Sequence, residues 1–390
     1  MKINFDEIID RNNTNCLKYD FAMERKHRDD LLPLWIADMD FKLPPVILKD
    51  IVNAVNHGIF GYSDAKDDYF YALSNWFESR FSWEIKQEWL IKTPGVVFAI
   101  ALAIKAFTNV SDGVLIQQPV YYPFAECIHD NNRRLINNQL IYENGSYHMN
   151  LEDFEQKIIS EHVKLFILCS PHNPVGRVWT KEELLAVGEI CLKHNVIIIS
   201  DEIHCDFTYP GHPHTIFATL SSALEKQCII CTSPSKTFNM AGLQTSNIFI
   251  PDKNLRDTFK KELNASGYSQ LNALGLIACK SAYQNGAFWL DELKEYLNEN
   301  LTFTRTFLEK KLPELSLIEP EGTYLIWIDF SKLGLTHKEL EHLIIEKANL
   351  WLDGGVIFGR ETALFERINI ACPRSILKEA LERLEKAIHN

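Results

Sequence analysis

The segment Ser233-Pro234-Ser235-Lys236 places a lysine where an ordinary surface lysine is not expected. Residues 228–232, just before it, form a short apolar run rich in β-branched residues, which is typical of a buried strand. Sheets of α/β proteins hold their ligands at the carboxyl ends of such strands. A lysine amine buried there can lose its proton near neutral pH and attack a carbonyl carbon. Taken alone, however, the segment favours a solvated lysine at the exit of a strand.

Two further junctions between predicted elements have ligand-binding patterns. In Thr93-Pro94-Gly95-Val96-Val97, a glycine lies between a strand and a helix, where backbone N–H groups can converge on a phosphate. The same pattern also describes an ordinary turn. In Gln118-Pro119-Val120-Tyr121-Tyr122-Pro123, two prolines stiffen a loop after another strand. An aromatic ring there can stack on a planar ligand, or the two tyrosines can be core residues.

Two polar side chains follow the next two strands of the pattern. Asn173 precedes a proline that keeps it extended, so its amide can donate to an oxygen of a ligand. Asp201 comes directly after the apolar run Ile197-Ile198-Ile199-Ser200. A carboxylate is costly to bury there without a cationic partner, and a protonated pyridine nitrogen would supply that partner.

Together these features are the ones that pyridoxal phosphate requires: a phosphate cradle, an aromatic stack, an amide donor, a buried acid and a lysine at a strand end. The lysine would form an imine with the cofactor aldehyde. The acid would keep the ring nitrogen protonated, so that the ring withdraws electrons from the substrate Cα. Their joint occurrence, in order, is far more specific than any one of them.

The bulk properties agree with a large globular enzyme. A chain of 390 residues with 46% hydrophobic residues predicts two packed domains with a substantial core. The net charge of −12 and the scattered Lys and Arg residues argue against nucleic acid or an anionic membrane as a partner. No apolar run approaches the roughly 18 residues of a membrane span, and the first residues lack the pattern of a signal peptide. The nine cysteines are therefore expected as free thiols in a reducing cytoplasm.

Short β-rich runs alternate with amphipathic stretches from about residue 70 to residue 282. Strands are predicted at residues 89–92, 113–117, 163–170, 196–200, 227–232 and 247–250, and helices at 96–108, 124–131, 151–160 and 181–194. This alternation predicts an α/β fold in which helices cover both faces of a mostly parallel sheet. Thr180 and Glu183 have the spacing of a capping box. Cys228 and Cys231 lie three residues apart in one strand, so we expect them on opposite faces.

The pattern changes after Gly286. A long charged helix is predicted at residues 288–312, a half-buried strand at 322–329 and a final helix at 375–388. We therefore predict a large cofactor-binding domain at residues 46–285. Residues 1–45 and 286–390 are predicted to form a smaller α+β domain.

Nearly end to end, the chain resembles the aspartate-aminotransferase-like superfamily of pyridoxal-phosphate-dependent enzymes. Within that superfamily it is similar to the cystathionine β-lyase/cystalysin-like (MalY/PatB) branch. Besides the site motifs, the resemblance includes LWIADMDF at residues 34–41, Phe60-Gly61-Tyr62, and RINIACP at residues 367–373. It implies the fold of the pyridoxal-phosphate-dependent transferases.

The resemblance implies a role for each residue around the cofactor ring. Lys236 would be the Schiff-base lysine, Asp201 would pair with the pyridine nitrogen, Asn173 would contact the ring hydroxyl and Tyr121 would stack on the ring. Position alone suggests that Tyr122 assists proton transfer.

The resemblance also implies how the phosphate is held. Ser233 and the backbone of Val96 and Val97 would bind it, with Ser235 beside them. Tyr62 would reach the phosphate of the neighbouring subunit, which makes a homodimer the functional unit.

On the substrate side, the resemblance implies that Arg367 grips the carboxylate of an amino acid. Trp35, Ala37 and Asn173 would line the same region. No second arginine has comparable motif support, and a buried distal carboxylate without a cation is costly. We therefore expect substrates with a single carboxylate at the reacting end in preference to aspartate or glutamate.

Two positions depart from the wider aminotransferase pattern and agree with the lyase branch. Gln244 stands eight residues after the lysine, where many aminotransferases have an arginine that holds the phosphate. His204 stands three residues after the buried acid, where they have a tyrosine. Phosphate binding must therefore rely more on neutral donors. His204 either contacts the cofactor or is a core histidine.

The function implied by the resemblance is that of a carbon–sulfur β-lyase. It would release a thiol, pyruvate and ammonia from cystathionine, cysteine or related S-conjugates. An aminotransferase remains an alternative, because both reactions begin with loss of the Cα proton. A regulatory protein that retains the cofactor is a further alternative.

His212 and His214 lie in a proline-rich loop without acids or thiols in register, so we expect them to face solvent and predict no metal.

Overall fold

Seven strands form the central sheet of the computed structural model, which describes residues 3–390. Their spatial order is Leu90–Thr93, Ser246–Phe249, Cys228–Thr232, Ile197–Asp201, Val163–Cys169, Gly113–Ile116 and Arg134–Asn137. The last five are parallel to one another, whereas Ser246–Phe249 runs antiparallel to both of its neighbours. The predicted mostly parallel sheet is confirmed.

Helices cover both faces of this sheet, as predicted. One face packs against the helices Val96–Phe107, Pro123–Asp130 and Lys253–Ala265. The other packs against Asp67–Phe81, Leu151–Ser160, Lys181–Lys193 and Ala273–Asn285. Cys231 belongs to the first hydrophobic cluster and Cys228 to the second, because successive side chains of a strand alternate in direction.

The helix Lys181–Lys193 begins with the predicted capping box. The Thr180 hydroxyl accepts from the Glu183 backbone N–H at 3.2 Å, and the Glu183 carboxylate accepts from the Thr180 N–H at 2.8 Å. Two N–H groups that lack partners within the helix are thereby satisfied.

The C-terminal part of the chain forms a second sheet. Its antiparallel strands are, in order, Ser316–Ile318, Leu325–Asp329, Phe365–Asn369 and Asp353–Gly354. The helices Ala287–Lys311 and Arg374–His389 belong to this part. The short parallel pair of Leu32–Pro33 with Leu350–Trp351 joins the N-terminal segment to it.

The remaining elements are short or lie at the periphery. Besides short 3-10 helices, they are the helices Ala22–Lys26, Pro45–His57, Ser222–Glu225, Pro234–Thr237 and His337–His342, the π-helical turn Leu343–Lys347, and the hairpin Ile141–Glu143 with Ser146–His148. Across residues 3–390, no helix has the length and apolar character needed to cross a bilayer.

The environment of His214 corrects a prediction. Its side chain is only 1% exposed, and its Nε2 lies 2.8 Å from a carboxylate oxygen of Glu202, which is itself buried. The Ser200 hydroxyl and the Phe217 N–H donate to the other oxygen of Glu202. The loop is therefore fixed to the end of a sheet strand, and His214 does not face solvent. His212 is half exposed, as expected.

Candidate active site

A cavity of about 190 Å³ opens at the carboxyl ends of the parallel strands. In an α/β sheet, this edge is where ligands bind. The cavity is lined by Ala37, Pro94, Gly95, Val96, Val97, Tyr121, Cys169, Asn173, Asp201, Ile203, His204, Ser235, Lys236, Ala241 and Ser246. Most of the predicted site residues therefore meet in one place, although they are far apart in the sequence.

Lys236 enters the cavity from the short helix Pro234–Thr237, which follows the strand Cys228–Thr232. Its Nζ donates to the Ala37 carbonyl oxygen at 2.7 Å. Burial lowers the pKa of Lys236 to about 8, with a further lowering from Arg367 and opposing contributions from Asp38 and Asp201. The amine is therefore partly neutral near physiological pH, which is the form that can act as a nucleophile or a base.

Asp201 ends the strand Ile197–Asp201 and is 4% exposed. Its carboxylate accepts from the Ile203 N–H at 3.1 Å, and within residues 3–390 it forms no ion pair. Burial raises its pKa to about 7. A buried carboxylate that faces a cavity needs a cation to stay ionised, and a protonated pyridine nitrogen is a cation of the right size. This residue therefore fits pyridoxal phosphate.

The helix Val96–Phe107 begins at the cavity, and Val96 and Val97 belong to the lining. The first N–H groups of a helix have no partner within it, so those of Val96 and Val97 can bind an anion. Gly95 has extended backbone, and a Cβ built there would meet no atom within 4 Å. The glycine thus leaves an open cradle in front of the helix, which fits a phosphate group.

Serine hydroxyls complete this end of the cavity. Ser235 and Ser246 line it, and the buried Ser246 Oγ has no hydrogen-bond partner among the described residues. Ser233 instead caps the Lys236 helix: its hydroxyl lies 2.6 Å from the Thr245 carbonyl oxygen and accepts from the Ser235 N–H at 3.1 Å. Ser246 is therefore a neutral donor that sequence reasoning missed.

The two adjacent tyrosines have different positions. Tyr121 lines the cavity, and its ring centroid lies 5.6 Å from that of Tyr122. Tyr122 is half-buried beside Phe358 and does not belong to the lining. Burial raises the pKa of both phenols, so both are protonated at neutral pH. Tyr121 is therefore the ring available for stacking.

Arg367 does not line the cavity but contacts Asn173, which does. Its Nη1 donates to the Asn173 Oδ1 at 2.9 Å, while Nη2 donates to the Trp35 carbonyl oxygen at 2.8 Å and to the Asp353 carboxylate. Its Nε is buried and has no partner among the described residues. Arg367 is thus held rigidly on three sides and retains a free donor, as a carboxylate clamp requires.

Trp35, His204 and Tyr62 were also predicted to belong to the site, and each lies in a different environment. The Trp35 indole stacks on Trp351 at 4.5 Å between centroids, outside the cavity lining, so only its carbonyl reaches Arg367. His204 lines the cavity, and burial lowers its pKa far enough to keep it neutral. Tyr62 is fully exposed, at 101%, and lies outside this cavity.

Asp353 and Tyr324 were not predicted. Asp353 pairs directly with Arg367, and the Tyr324 hydroxyl donates to the Ala37 carbonyl oxygen at 3.0 Å. Both belong to the C-terminal sheet region, and no local pattern marks them. In the sheet register Ser246 lies opposite Thr93, beside the glycine turn. Knowledge of this pairing would have identified Ser246, but strand pairing cannot be read from the sequence.

A larger cavity, of about 420 Å³, lies between the loop at residues 207–213 and the helix Ala287–Lys311. Lys294 is its one lysine or arginine, and none of the predicted site residues lines it. Volume alone therefore does not identify the active site, whereas the convergence of strand ends does. No group of three potential metal ligands occurs within the part of the chain that the structure describes.

Replacing Gly95 with alanine is expected to weaken binding of pyridoxal phosphate by at least about tenfold, because the added methyl group would occupy the cradle. The extended backbone at Gly95 suits alanine, so the melting temperature of the cofactor-free protein should not fall. Cofactor retained after dialysis, measured by absorbance, checks the first expectation. A variant that binds the cofactor as tightly as wild type would place the phosphate elsewhere.

Comparisons with known proteins agree with this geometry. The family model for aminotransferase class I and II matches residues 29–384. Cystathionine beta-lyase PatB of Bacillus subtilis is 40% identical over 99% of this chain and 100% of its own length. The structure of cystalysin from Treponema denticola, which contains pyridoxal 5'-phosphate, superposes with a TM-score of 0.97 at 38% identity and covers 100% of this chain and 99% of its own. A cofactor-bound protein of Clostridium difficile with an aminotransferase name has a TM-score of 0.97 at 46% identity and covers 99% of both chains.

Proposed function

The chain belongs to the aminotransferase class I and II family, and we propose that it is a pyridoxal-phosphate-dependent carbon–sulfur β-lyase. Its substrates would be cystathionine, cysteine or related S-conjugates, and its products a thiol, pyruvate and ammonia. The observation that carries this proposal is that Lys236 and Asp201 line the same cavity, each with a pKa moved towards neutrality by burial.

When bound, pyridoxal phosphate withdraws electrons from the substrate Cα and so acidifies its proton. Lys236 is the residue that takes this proton, because its amine is held inside the cavity and burial favours the neutral form. Asp201 would keep the positive charge of the cofactor ring in place. Tyr121 would stack on the ring, and the N–H groups of Val96 and Val97 would bind the phosphate.

The substrate enters with its α-carboxylate towards Arg367, which Asn173 and Asp353 orient. This anchoring fixes the Cα–H bond near Lys236. The Cβ–S bond then breaks, and the thiolate leaves with the bonding electron pair and takes up a proton. Hydrolysis of the remaining three-carbon fragment gives pyruvate and ammonia.

The lining of the cavity supports a lyase over a transaminase of dicarboxylic acids. Apart from the neutral His204, Lys236 is its one basic side chain, and Arg367 stands behind it as a single clamp. A distal carboxylate of aspartate or glutamate would find no second cation there. A cysteine conjugate needs only one carboxylate clamp and room for sulfur.

Purified enzyme loaded with pyridoxal phosphate is expected to release pyruvate from cystathionine at least about tenfold faster than it transfers an amino group from aspartate or glutamate to a 2-oxo acid. The tenfold figure corresponds to about 1.4 kcal/mol lost by one poorly paired carboxylate. Lactate dehydrogenase coupling measures pyruvate, and amino-acid analysis measures transfer. If transfer outpaces pyruvate release under matched conditions, the aminotransferase alternative replaces the lyase.

A specific observation keeps that alternative open: one structural relative carries an aminotransferase name at 46% identity. Both reactions use Lys236 to remove the Cα proton, and they differ in whether a proton returns to the cofactor or a sulfur group departs. A regulatory role finds less support, because we assign the main exposed apolar surface to a homodimer.

The exposed apolar surface in question lies on the helix Pro45–His57 and the segment after it. Leu48, Val52 and Val55 recur at helical spacing on one face and are 46% to 47% exposed, and Ile59, just after the helix, is 74% exposed. Contiguous apolar patches of this kind mark interfaces between proteins. Tyr62 follows directly, and none of residues 3–390 covers it. A second copy of the chain would bury this surface and bring Tyr62 to the phosphate of its partner.

Because all nine cysteines are free thiols, we place the dimer in the cytoplasm.

Sharing of the active site can be tested by complementation between two impaired variants. We expect Tyr62→Ala to lower cofactor affinity and activity, and Lys236→Ala to abolish activity. When the two are refolded together, half of the sites in a mixed dimer contain neither substitution, so activity should rise well above that of either variant refolded alone. Absence of recovery despite formation of mixed dimers would mean that Tyr62 does not act across the interface.

A further inference from the structure

Four consecutive carbonyl groups, those of residues 35–38, are held by side chains of the C-terminal sheet region. Arg367 Nη2 donates to the carbonyl of residue 35 at 2.8 Å. Asn369 Nδ2 donates to those of residues 36 and 38 at 2.7 and 2.6 Å. Tyr324 donates its hydroxyl proton to the Ala37 carbonyl at 3.0 Å. The segment that borders the cavity is thus fixed by the small sheet.

The Ala37 carbonyl oxygen also accepts a hydrogen bond from Lys236 Nζ, at 2.7 Å. A carbonyl oxygen has two lone pairs, so Tyr324 and Lys236 together use its full capacity. The Tyr324 ring is fully buried, and burial raises the pKa of its phenol, so the hydroxyl stays a donor at every working pH. Tyr324 is therefore able to donate to the Ala37 carbonyl throughout that pH range.

We propose that Tyr324 is a positioning residue for Lys236 and acts through the shared Ala37 carbonyl. By accepting one N–H of Lys236, the carbonyl fixes the direction of the amine lone pair. That lone pair must point at the proton on the substrate Cα. Tyr324 already donates one hydrogen bond to the Ala37 carbonyl, so this carbonyl stabilises the ammonium form of Lys236 less. The neutral amine, which is the base, is therefore favoured. The role rests on the proposed function, since it concerns removal of the Cα proton.

Charges near Lys236 could produce a similar effect and must be separated from it. Asp38 and Asp201 raise the pKa of Lys236, Arg367 lowers it, and the nearby His204 is neutral. Changing Asp38, Asp201 or Arg367 alters the net charge of the site. Tyr324→Phe alters none, because it removes only a neutral hydroxyl and keeps the ring and its edge-on contacts with His204 and Phe207.

Tyr209→Phe is a matched control. Tyr209 also has a buried hydroxyl, but that hydroxyl has no partner among the described residues, and its ring lies in the other cavity. Both substitutions therefore delete one buried oxygen. Only Tyr324→Phe removes a hydrogen bond to the Ala37 carbonyl.

The first readout uses cofactor-free protein, so it does not depend on any reaction. The rate at which acetic anhydride modifies Lys236, followed by peptide mass spectrometry over a range of pH, gives the pKa of the amine. We expect that pKa to rise by up to about one pH unit in Tyr324→Phe and to stay at the wild-type value in Tyr209→Phe.

The second readout uses the loaded enzyme with cystathionine. Tyr324→Phe should lower kcat about tenfold with KM within about twofold, and the acidic limb of the kcat profile should move to higher pH. If Lys236 titrates alike in wild type and Tyr324→Phe, or if Tyr209→Phe shows the same changes, the proposal is overturned. If the lysine titration shifts as expected but no pyruvate forms with any protein, the lyase assignment fails and the positioning role stands.

Discussion

Replacing Lys236 with alanine is expected to lower pyruvate release from cystathionine by at least about a thousandfold. Lys236 is the one lysine in the cavity, and it would serve both to attach the cofactor and to remove the Cα proton. Its helix is capped by Ser233, which the substitution leaves intact, so the variant should fold. Stopped-flow and steady-state pyruvate assays measure the loss.

Attachment of the cofactor can be located independently of activity. Borohydride reduction and peptide mapping should place the pyridoxyl group on Lys236. Lys18 is a fully buried lysine, but its Nζ is paired with Asp40 at 2.7 Å and is not available as a nucleophile. Lys253→Ala, at a lysine whose side chain is 76% exposed, serves as the control and should keep full activity. An adduct on Lys18 or any other lysine would refute the assignment.

Replacing Asp201 with asparagine is expected to have opposite effects on catalysis and on the stability of the cofactor-free protein. Turnover should fall on the order of a hundredfold or more, because a neutral amide cannot hold the proton on the cofactor ring. The amide keeps the shape of the carboxylate and can still accept from the Ile203 N–H. Comparable turnover in the variant would show that the acid has only a structural role.

The stability of the cofactor-free protein should move the other way. Burial raises the pKa of Asp201 from 3.8 to about 7, so folding takes up a proton between these values and stability falls as pH rises through that window. This rise in pKa lowers the free energy of unfolding at pH 8 by on the order of 4 kcal/mol. Asparagine avoids this cost. The variant should therefore be more stable than wild type in urea at pH 8 and equal to it below about pH 4. Equal stability at pH 8 would show that Asp201 is not buried as a charge.

Much of the large sheet could be predicted because each strand is a self-contained pattern. The apolar runs that end at Asp201 and Thr232 are strands within a residue of the predicted limits. The strand Arg134–Asn137 was missed, since it is a partly exposed edge strand without an apolar run. Only the structure shows that Ser246–Phe249 runs against its neighbours, because strand direction depends on the path of the chain between strands.

By itself, the sequence determined the chemistry of the site. A lysine, an acid, an amide and a glycine turn each stand at the end of a predicted element, and parallel strands bring their carboxyl ends to one edge. Local patterns could not reveal that Asp353 pairs with Arg367, that Tyr324 and Lys236 share one carbonyl, or that the Trp35 indole turns away to stack on Trp351. Those contacts join segments up to about 330 residues apart, as in the bond from Arg367 to the carbonyl of residue 35. The packing of the small sheet against the N-terminal segment decides them, because a long-range contact is specified by the shape and hydrogen-bonding groups of both surfaces and not by either segment alone.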